Sequence, residues 1–367
     1  MLTGVATRAW PLVARARVTE GYVTQPVIMA AARGAGGRLR AYAAIDFEGA
    51  TLRRGEITPG GYGEGYVDRR HPHTWVHEVM AGVAAQAGQL RWSLFGGKGF
   101  VPFGSDDPMM RPFVKYPVNH HLSQLLERAM VTAAVRAGGF TFEGSRFNGD
   151  EPEGTGDWPN ADRHLDSWSA RTSFAPSPAV ELSASVARVR SPEDAGGFGL
   201  DHHKRHAAVR FRRPSGVLRY ALIELSRTGE FAGGREAYAF RSALAEGEAH
   251  FARGALALRV ERTDRPEEQR AATPYRSIRP LLDFGILGIT RWDVVTAHAE
   301  GRAVSLLRLR ARPFVEAAHH RAKARLRPTA IDPAEWYGST RIWMLSAGVR
   351  LDAGVMRPRM GFYGGAR

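Results

Sequence analysis

The most constraining feature of this chain is the spacing of its connections. Short strand-like segments follow one another from end to end, and the links between them alternate short, long, short, long. Tight turns are expected at Arg33 to Gly37, Ala85 to Gly88, Arg136 to Gly139, Pro176 to Pro178, Arg213 to Gly216, Ala245 to Glu248 and His298 to Gly301. Between them lie long polar connections at Gly49 to His77, Lys98 to Leu126, Gly149 to Asp166, Ser191 to His202, Arg227 to Glu236, Thr263 to Ser277 and His319 to Ser339. A soluble β-sandwich has no reason to keep all its long loops at one end. A bacterial outer-membrane barrel does, with brief periplasmic turns and longer extracellular loops.

The segments themselves alternate with period two, one face apolar and the other polar. Leu39, Ala41, Ala43, Ile45 and Phe47 interleave with Arg38, Arg40, Tyr42, Asp46 and Glu48. Trp168, Ala170, Thr172 and Phe174 interleave with Ser167, Ser169, Arg171 and Ser173. The same pattern sets Ala207, Val209 and Phe211 against His206, Arg210 and Arg212, and Leu256, Leu258 and Val260 against Arg259 and Glu261. Most segments run about 9 to 13 residues, enough for a tilted strand to cross a bilayer. The reading is all-β: one transmembrane antiparallel barrel over 1–351 with a C-terminal tail over 352–367. Its strand count is about 16, with 14 the next even number. Trp75, Trp92, Trp168, Trp292, Trp343 and Tyr220 near segment ends suggest interfacial girdles. No plug or second domain is visible in the pattern.

Composition narrows the alternatives. Of 367 residues 44% are hydrophobic and mean hydropathy is -0.30, with no run of roughly 18 to 20 apolar residues, so transmembrane helices are excluded. There are no cysteines, and Met1 to Pro11 lacks the apolar core of a secretory signal. The net charge of +14 raises nucleic acid as a partner. Yet only Lys98, Lys115, Lys204 and Lys323 of the 51 basic residues are lysine, and the arginines are spread evenly, as in a genome rich in Arg codons. A soluble basic β-sandwich on nucleic acid is therefore the lesser alternative.

Val67-Asp68-Arg69-Arg70-His71-Pro72-His73 resembles the V-D-R-x-H-P-H stretch of a family of largely uncharacterised Gram-negative outer-membrane barrels. Further motifs follow in order. Gly97 to Phe103 with Arg111-Pro112, Asn119-His120-His121, and Phe142 to Gly149 with Glu151-Pro152 are similar to that family's stretches, as are Asp166 to Arg171 and Arg190 to Glu193. The resemblance covers about Val67 to Glu193 and implies a porin-like barrel in the outer membrane, with no settled substrate and a weak link to metal handling. After His121 the sequence Leu122-Ser123-Gln124-Leu125-Leu126 departs from the family pattern.

Two chemistries fit this frame. Arg308, Arg310 and Arg312 share one strand face, as do Arg210 and Arg212. On a lipid face each would cost roughly 2 to 4 kcal/mol near the midplane, so they should point inward and line an anion-favouring lumen. Glu143, Glu181, Glu248, Glu261 and Asp283 are available to pair with such arginines and close the lumen instead. Second, His71, His73, His120 and His121 fall on the long-loop side as candidate ligands for zinc or copper, or as rings that pin the loops by hydrogen bonds. The run His319 to Arg327 is a candidate contact for lipopolysaccharide phosphates or a solvated loop tip.

No nucleophile elbow, P-loop, zincin or dinucleotide motif is present, so an enzyme is not expected. The expected function is porin-like passage of a small anionic or metal-containing solute through an Arg-lined constriction narrowed by the two long early connections, without a bound cofactor. Its partners would be outer-membrane lipid, lipopolysaccharide and the solute, with oligomerisation left open. The runner-up is a non-conducting barrel that binds a metal or a surface partner.

Overall fold

A computed structural model of the chain describes residues 1–12, 16–52, 56–59, 74–152, 154–269, 285–325, 331–354 and 359–363. It contains eighteen β segments in one antiparallel sheet. They are β1 (Leu2–Leu12), β2 (Ala16–Thr24), β3 (Val27–Gly34), β4 (Leu39–Asp46), β5 (Val76–Ala87), β6 (Leu90–Gly99), β7 (Arg128–Ala137), β8 (Phe140–Phe147) and β9 (Ser167–Phe174). The second half holds β10 (Val180–Val189), β11 (Asp201–Arg212), β12 (Leu218–Ala232), β13 (Arg235–Phe251), β14 (Gly254–Glu268), β15 (Ile286–Gly301), β16 (Val304–Leu306), β17 (Leu309–Ala324) and β18 (Arg341–Ala353).

Two pairs of segments are halves of single strands. β2 zips to β1, and the strand resumes after Gln25-Pro26 as β3, where Val27 exchanges backbone hydrogen bonds with Met1 and then pairs with β4. β15 and β16 both pair with β17 on either side of Arg302-Ala303. Eighteen segments thus make sixteen spanning strands, as the sequence pattern predicts. β18 returns to β1 through nine register pairs from Leu2↔Leu351 to Trp10↔Trp343, which closes the barrel. Closure leaves no bare strand edge to carry unpaired amides into lipid.

The barrel has apolar residues outside and polar ones inside. Leu94, Val131, Leu182, Val209, Leu225, Leu256, Leu258, Val295, Val315 and Leu345 stand exposed at alternate positions on the outer surface. The residues between them, among them Thr132, Glu224, Ser226, Arg259, Thr296, Glu316 and Ser346, are buried inside. Trp75, Trp92, Trp168 and Trp343 sit on the outer face as expected of girdle residues. Trp292 and Tyr220 do not: Trp292 packs inward against Tyr337 and His320, and the Tyr220 hydroxyl donates to Glu246.

Several expected connections are strand instead. The Arg227 to Glu236 stretch continues β12 and β13 around Gly233-Gly234, both with positive φ. Ala245 to Glu248 lies within β13 and His298 to Gly301 within β15, the turns falling at Ala252-Arg253 and Leu307-Arg308. His319 to Ala324 of the basic run is β17, not a loop tip. For Arg227 to Glu236 and His319 to Ala324 the cause is that the long strands of this flank extend past the apolar band, where their outer face turns polar. Arg262, Asp293 and Lys323 form an ion-pair cluster on the outer surface there, which local composition cannot tell from a loop. Apart from the Gly233-Gly234 turn at the opposite end, the short turns between Gly34 and Leu309 share one end of the barrel, called the turn side below. Of the tail over 352–367, Asp352 and Ala353 complete β18, and the described residues 359–363 lie inside the barrel.

Candidate pore constriction

The connection between β6 and β7, residues 100–127, folds into the lumen. Its apolar residues Val101, Phe103, Met109, Phe113, Val114, Val118 and Leu125 are buried, so the hydrophobic effect drives it inward rather than out into water. Its root is tied down by Glu127, whose carboxylate accepts from Thr74, from His77 Nδ1 at 2.5 Å and from Lys98 Nζ at 3.0 Å.

Four inward-facing glutamates of the opposite wall hold the far part of the loop. Glu224 of β12 accepts from Asn119 Nδ2 at 2.8 Å, from Arg111 Nη2 at 3.1 Å and from the Ser105 hydroxyl, with His206 Nε2 also at 3.1 Å. Glu261 of β14 accepts from the Val118 amide at 2.8 Å. Glu316 of β17 takes the Val114 and Lys115 amides at 2.8 and 3.0 Å, and His298 braces it at 3.0 Å. Glu246 of β13 receives Arg259 at 2.8 Å, and Arg259 in turn donates to the Lys115 carbonyl at 2.9 Å. Carboxylates in these strands look like ordinary polar-face residues in sequence. Their role is set by amides more than a hundred residues away.

The near side is organised by the motifs of β8, β9 and β10. Glu143 of β8 faces Arg171 of β9 across the ladder at 2.6 Å, and the Ser145 and Ser169 hydroxyls meet at 3.0 Å two register pairs further on, on the same face. Arg163, Asp166 and Ser167 then gather the 148–166 and 190–200 connections through the Gly149 amide, the Arg190 amide and the carbonyls of Ser191 and Asp194. Arg171 also donates to the Gly361 carbonyl of the tail at 2.7 Å. The ring of Phe362 is sandwiched between the guanidinium groups of Arg171 and Arg359, at 3.7 and 3.4 Å. Gly104, beside this point, has φ 78° and brings its own amide to Ser185 Oγ at 3.0 Å.

Asp106 of the loop, Arg359 of the tail, Glu181 of β10 and Arg210 of β11 form a ring of alternating charge. Arg359 lies 2.8 Å from Asp106 and 2.9 Å from Glu181, and Arg210 lies 3.5 Å from each of the same two carboxylates. Burial works against the charged form of Asp106, but Arg359, Arg210, Arg111 and Arg212 outweigh it and hold the carboxyl below its ordinary range.

On the turn side of this ring the lumen widens into two adjoining chambers with free volumes of about 550 and 430 Å³. Arg212 and Arg213 line both. Arg210 and Arg359 line the first, Arg312 and Arg350 the second, while Glu181 and Glu248 are the carboxylates on their walls.

Of the arginines singled out in sequence, Arg210, Arg212, Arg310 and Arg312 do point inward from β11 and β17. Arg312 pairs with Glu300 at 3.0 Å and with Asp352 at 2.8 Å, and Arg310 also meets Asp352. Arg308 lies in the Leu307-Arg308 turn, off the lumen wall. Of the histidines, His120 and His121 belong to a short helix within the folded-in loop, α1 (His120–Ser123), with their rings 4.0 Å apart. His71 and His73 lie outside the described residues. Among the described residues no three His, Asp or Glu groups gather as a metal site. A constriction by the long Lys98 to Leu126 connection is what the sequence leads one to expect; the glutamate anchors Glu224, Glu246 and Glu316 and the inserted tail are not legible there beyond the polar faces on which these glutamates lie.

No family model matches the chain, and no curated protein matches it. Solved structures do. An anion-selective porin from Comamonas acidovorans superposes with a TM-score of 0.52 at 12% identity, over 96% of this chain and 99% of that one. An OmpF of Salmonella typhi superposes with a TM-score of 0.51 at 10% identity, over 96% of each chain. At these identities the likeness establishes the barrel fold of porins.

Proposed function

We propose that this chain is a diffusion channel in the outer membrane of a Gram-negative bacterium, passing small anionic solutes. The short turns would then face the periplasm and the long connections the outside. The carrying observation is the guanidinium lining of the turn-side walls, where Arg136, Arg210, Arg212, Arg213, Arg219, Arg312, Arg350 and Arg359 outnumber the lining carboxylates Glu181 and Glu248 together with Asp106, Glu300 and Asp352, which pair with some of these arginines. Low-dielectric walls of one sign focus the field and raise the local concentration of counter-ions, here anions. The folded-in loop narrows the path, so size and charge are tested at the same level. Diffusion through such a lumen needs no cofactor.

The test is insertion of detergent-refolded protein into planar bilayers under a potassium chloride gradient. Stepwise conductance with a reversal potential on the chloride side supports the reading, and a cation-preferring or permanently silent barrel refutes it. Repeating the record with micromolar Cu(II) or Zn(II) separates a metal-responsive loop from a plain channel.

A further inference from the structure

The larger turn-side chamber has features beyond those of a passage. It is bounded by the β7–β8, β9–β10 and β11–β12 turns, and its inner wall is made by Arg359 and Phe362 of the C-terminal segment. A volume of about 550 Å³ falls within the roughly 300 to 1,000 Å³ of small-molecule sites. Arg136, Arg210, Arg212, Arg213 and Arg359 line it against a single carboxylate, Glu181. Among the described residues no carboxylate comes within ion-pair distance of Arg212 or Arg213. Ser173, Ser177 and Thr141 add hydroxyl donors, and Pro178, Val180 and Phe362 add apolar surface. Arg210 and Arg359 are held by Glu181 and Asp106, so a carboxylate or phosphate entering the chamber competes with those two groups for the same guanidinium forks.

We propose that this chamber is a binding site for a small organic anion with two or three carboxylate or phosphate groups, and that the docked anion clamps the C-terminal segment inside the lumen. A singly charged anion cannot reach the Arg212-Arg213 pair and Arg359 together, so multivalency is the recognised property. Arg359 belongs to the site only while the segment is inserted, so binding stabilises the inserted state. The inference rests on the reading of the lumen as an anion path, but its test does not require conduction.

The test is equilibrium titration of the full chain in detergent with citrate as the probe, and with sodium chloride at matched ionic strength as the screening control. The companion measurement is tryptic cleavage after Arg359, followed by mass spectrometry. Saturable citrate binding is expected, roughly tenfold weaker in Arg212→Ser/Arg213→Ser and unchanged in Arg188→Ser, an outer-surface arginine paired with Asp201. Cleavage after Arg359 should slow with citrate and be unaffected by sodium chloride. Heat-modifiable electrophoretic mobility shows that each variant remains a barrel. Absence of saturable binding, or equal affinity in the double variant and the wild type, overturns the site. Binding without slower cleavage overturns the clamping of the segment. A barrel that binds citrate but stays silent in bilayers would retain the site and discard the channel, and the opposite pair of results would do the reverse.

Discussion

Replacing Glu224 by alanine tests whether wall carboxylates hold the constriction closed. Glu224 is fully buried and is the common acceptor for three groups of the loop, the Ser105 hydroxyl, the Arg111 guanidinium and the Asn119 amide. Hydrogen bonds to a charged group are worth about 1.5 to 3 kcal/mol each. Their sum is not recovered in full, because Glu246 remains 3.7 Å from Arg111 and keeps part of its charge compensated. Breaking one partner of a buried ion pair costs about 3 to 5 kcal/mol. Because the barrel ladder is untouched, this cost falls on loop docking rather than on the fold. Every 1.4 kcal/mol is a factor of ten, so the docking equilibrium should weaken by about two to three powers of ten. The assay is tryptic cleavage after Lys115 in folded, lipid-reconstituted protein, together with single-channel conductance. Glu224→Ala should be cut at this site where the wild type resists, and should conduct more. Glu224→Gln keeps the size and one acceptor and should show a smaller change in the same direction. If Glu224→Ala keeps the native mobility, the resistance to trypsin and the wild-type conductance, the anchoring role of this residue is refuted.

Three further outcomes follow from the same structure. Asp106 has its pKa held below the ordinary 3.8, so its hold on Arg359 and Arg210 is complete above that value and fades as pH falls through the lower folded one. Cleavage after Arg359 should therefore rise in Asp106→Asn at pH 7, and an uncut tail in that variant would remove Asp106 from the latch. Gly104→Ala would place a Cβ 1.7 Å from the Ser123 carbonyl at φ +78°, so the loop must shift. Trypsin should open it as in Glu224→Ala, and a crystal structure with the loop in place would contradict the strain argument. Leu258→Arg puts a charge on the outer face and should destabilise the folded state in lipid vesicles by about 2 to 4 kcal/mol. The lumen-facing Ser226→Arg should cost markedly less by urea titration, and equal costs would mean that the faces are misassigned.

Local pattern and long-range contact account for different parts of this protein. Period-two alternation at Leu256, Leu258 and Val260 against Arg259 and Glu261 identifies which residues meet lipid and which meet the lumen. Repeated in every segment and joined by turns at one end, it settles the barrel, its strand number and its inverted polarity, because these depend on residues two apart. The same local rule misplaced the Arg227 to Glu236 connection and the basic run from His319. Strands that pass beyond the apolar band are polar on both faces, so alternation disappears while pairing continues. The apolar residues of the 100–127 connection favour turning inward, but nothing local says where on the wall it docks. That choice was made by contacts between distant residues: Arg111 with Glu224 across 113 positions, Arg171 with Gly361 across 190, and Arg359 with Asp106 across 253. Each is a buried charge satisfied only once the barrel has closed around it, which is why only the tertiary structure decides where the constriction and the tail lie.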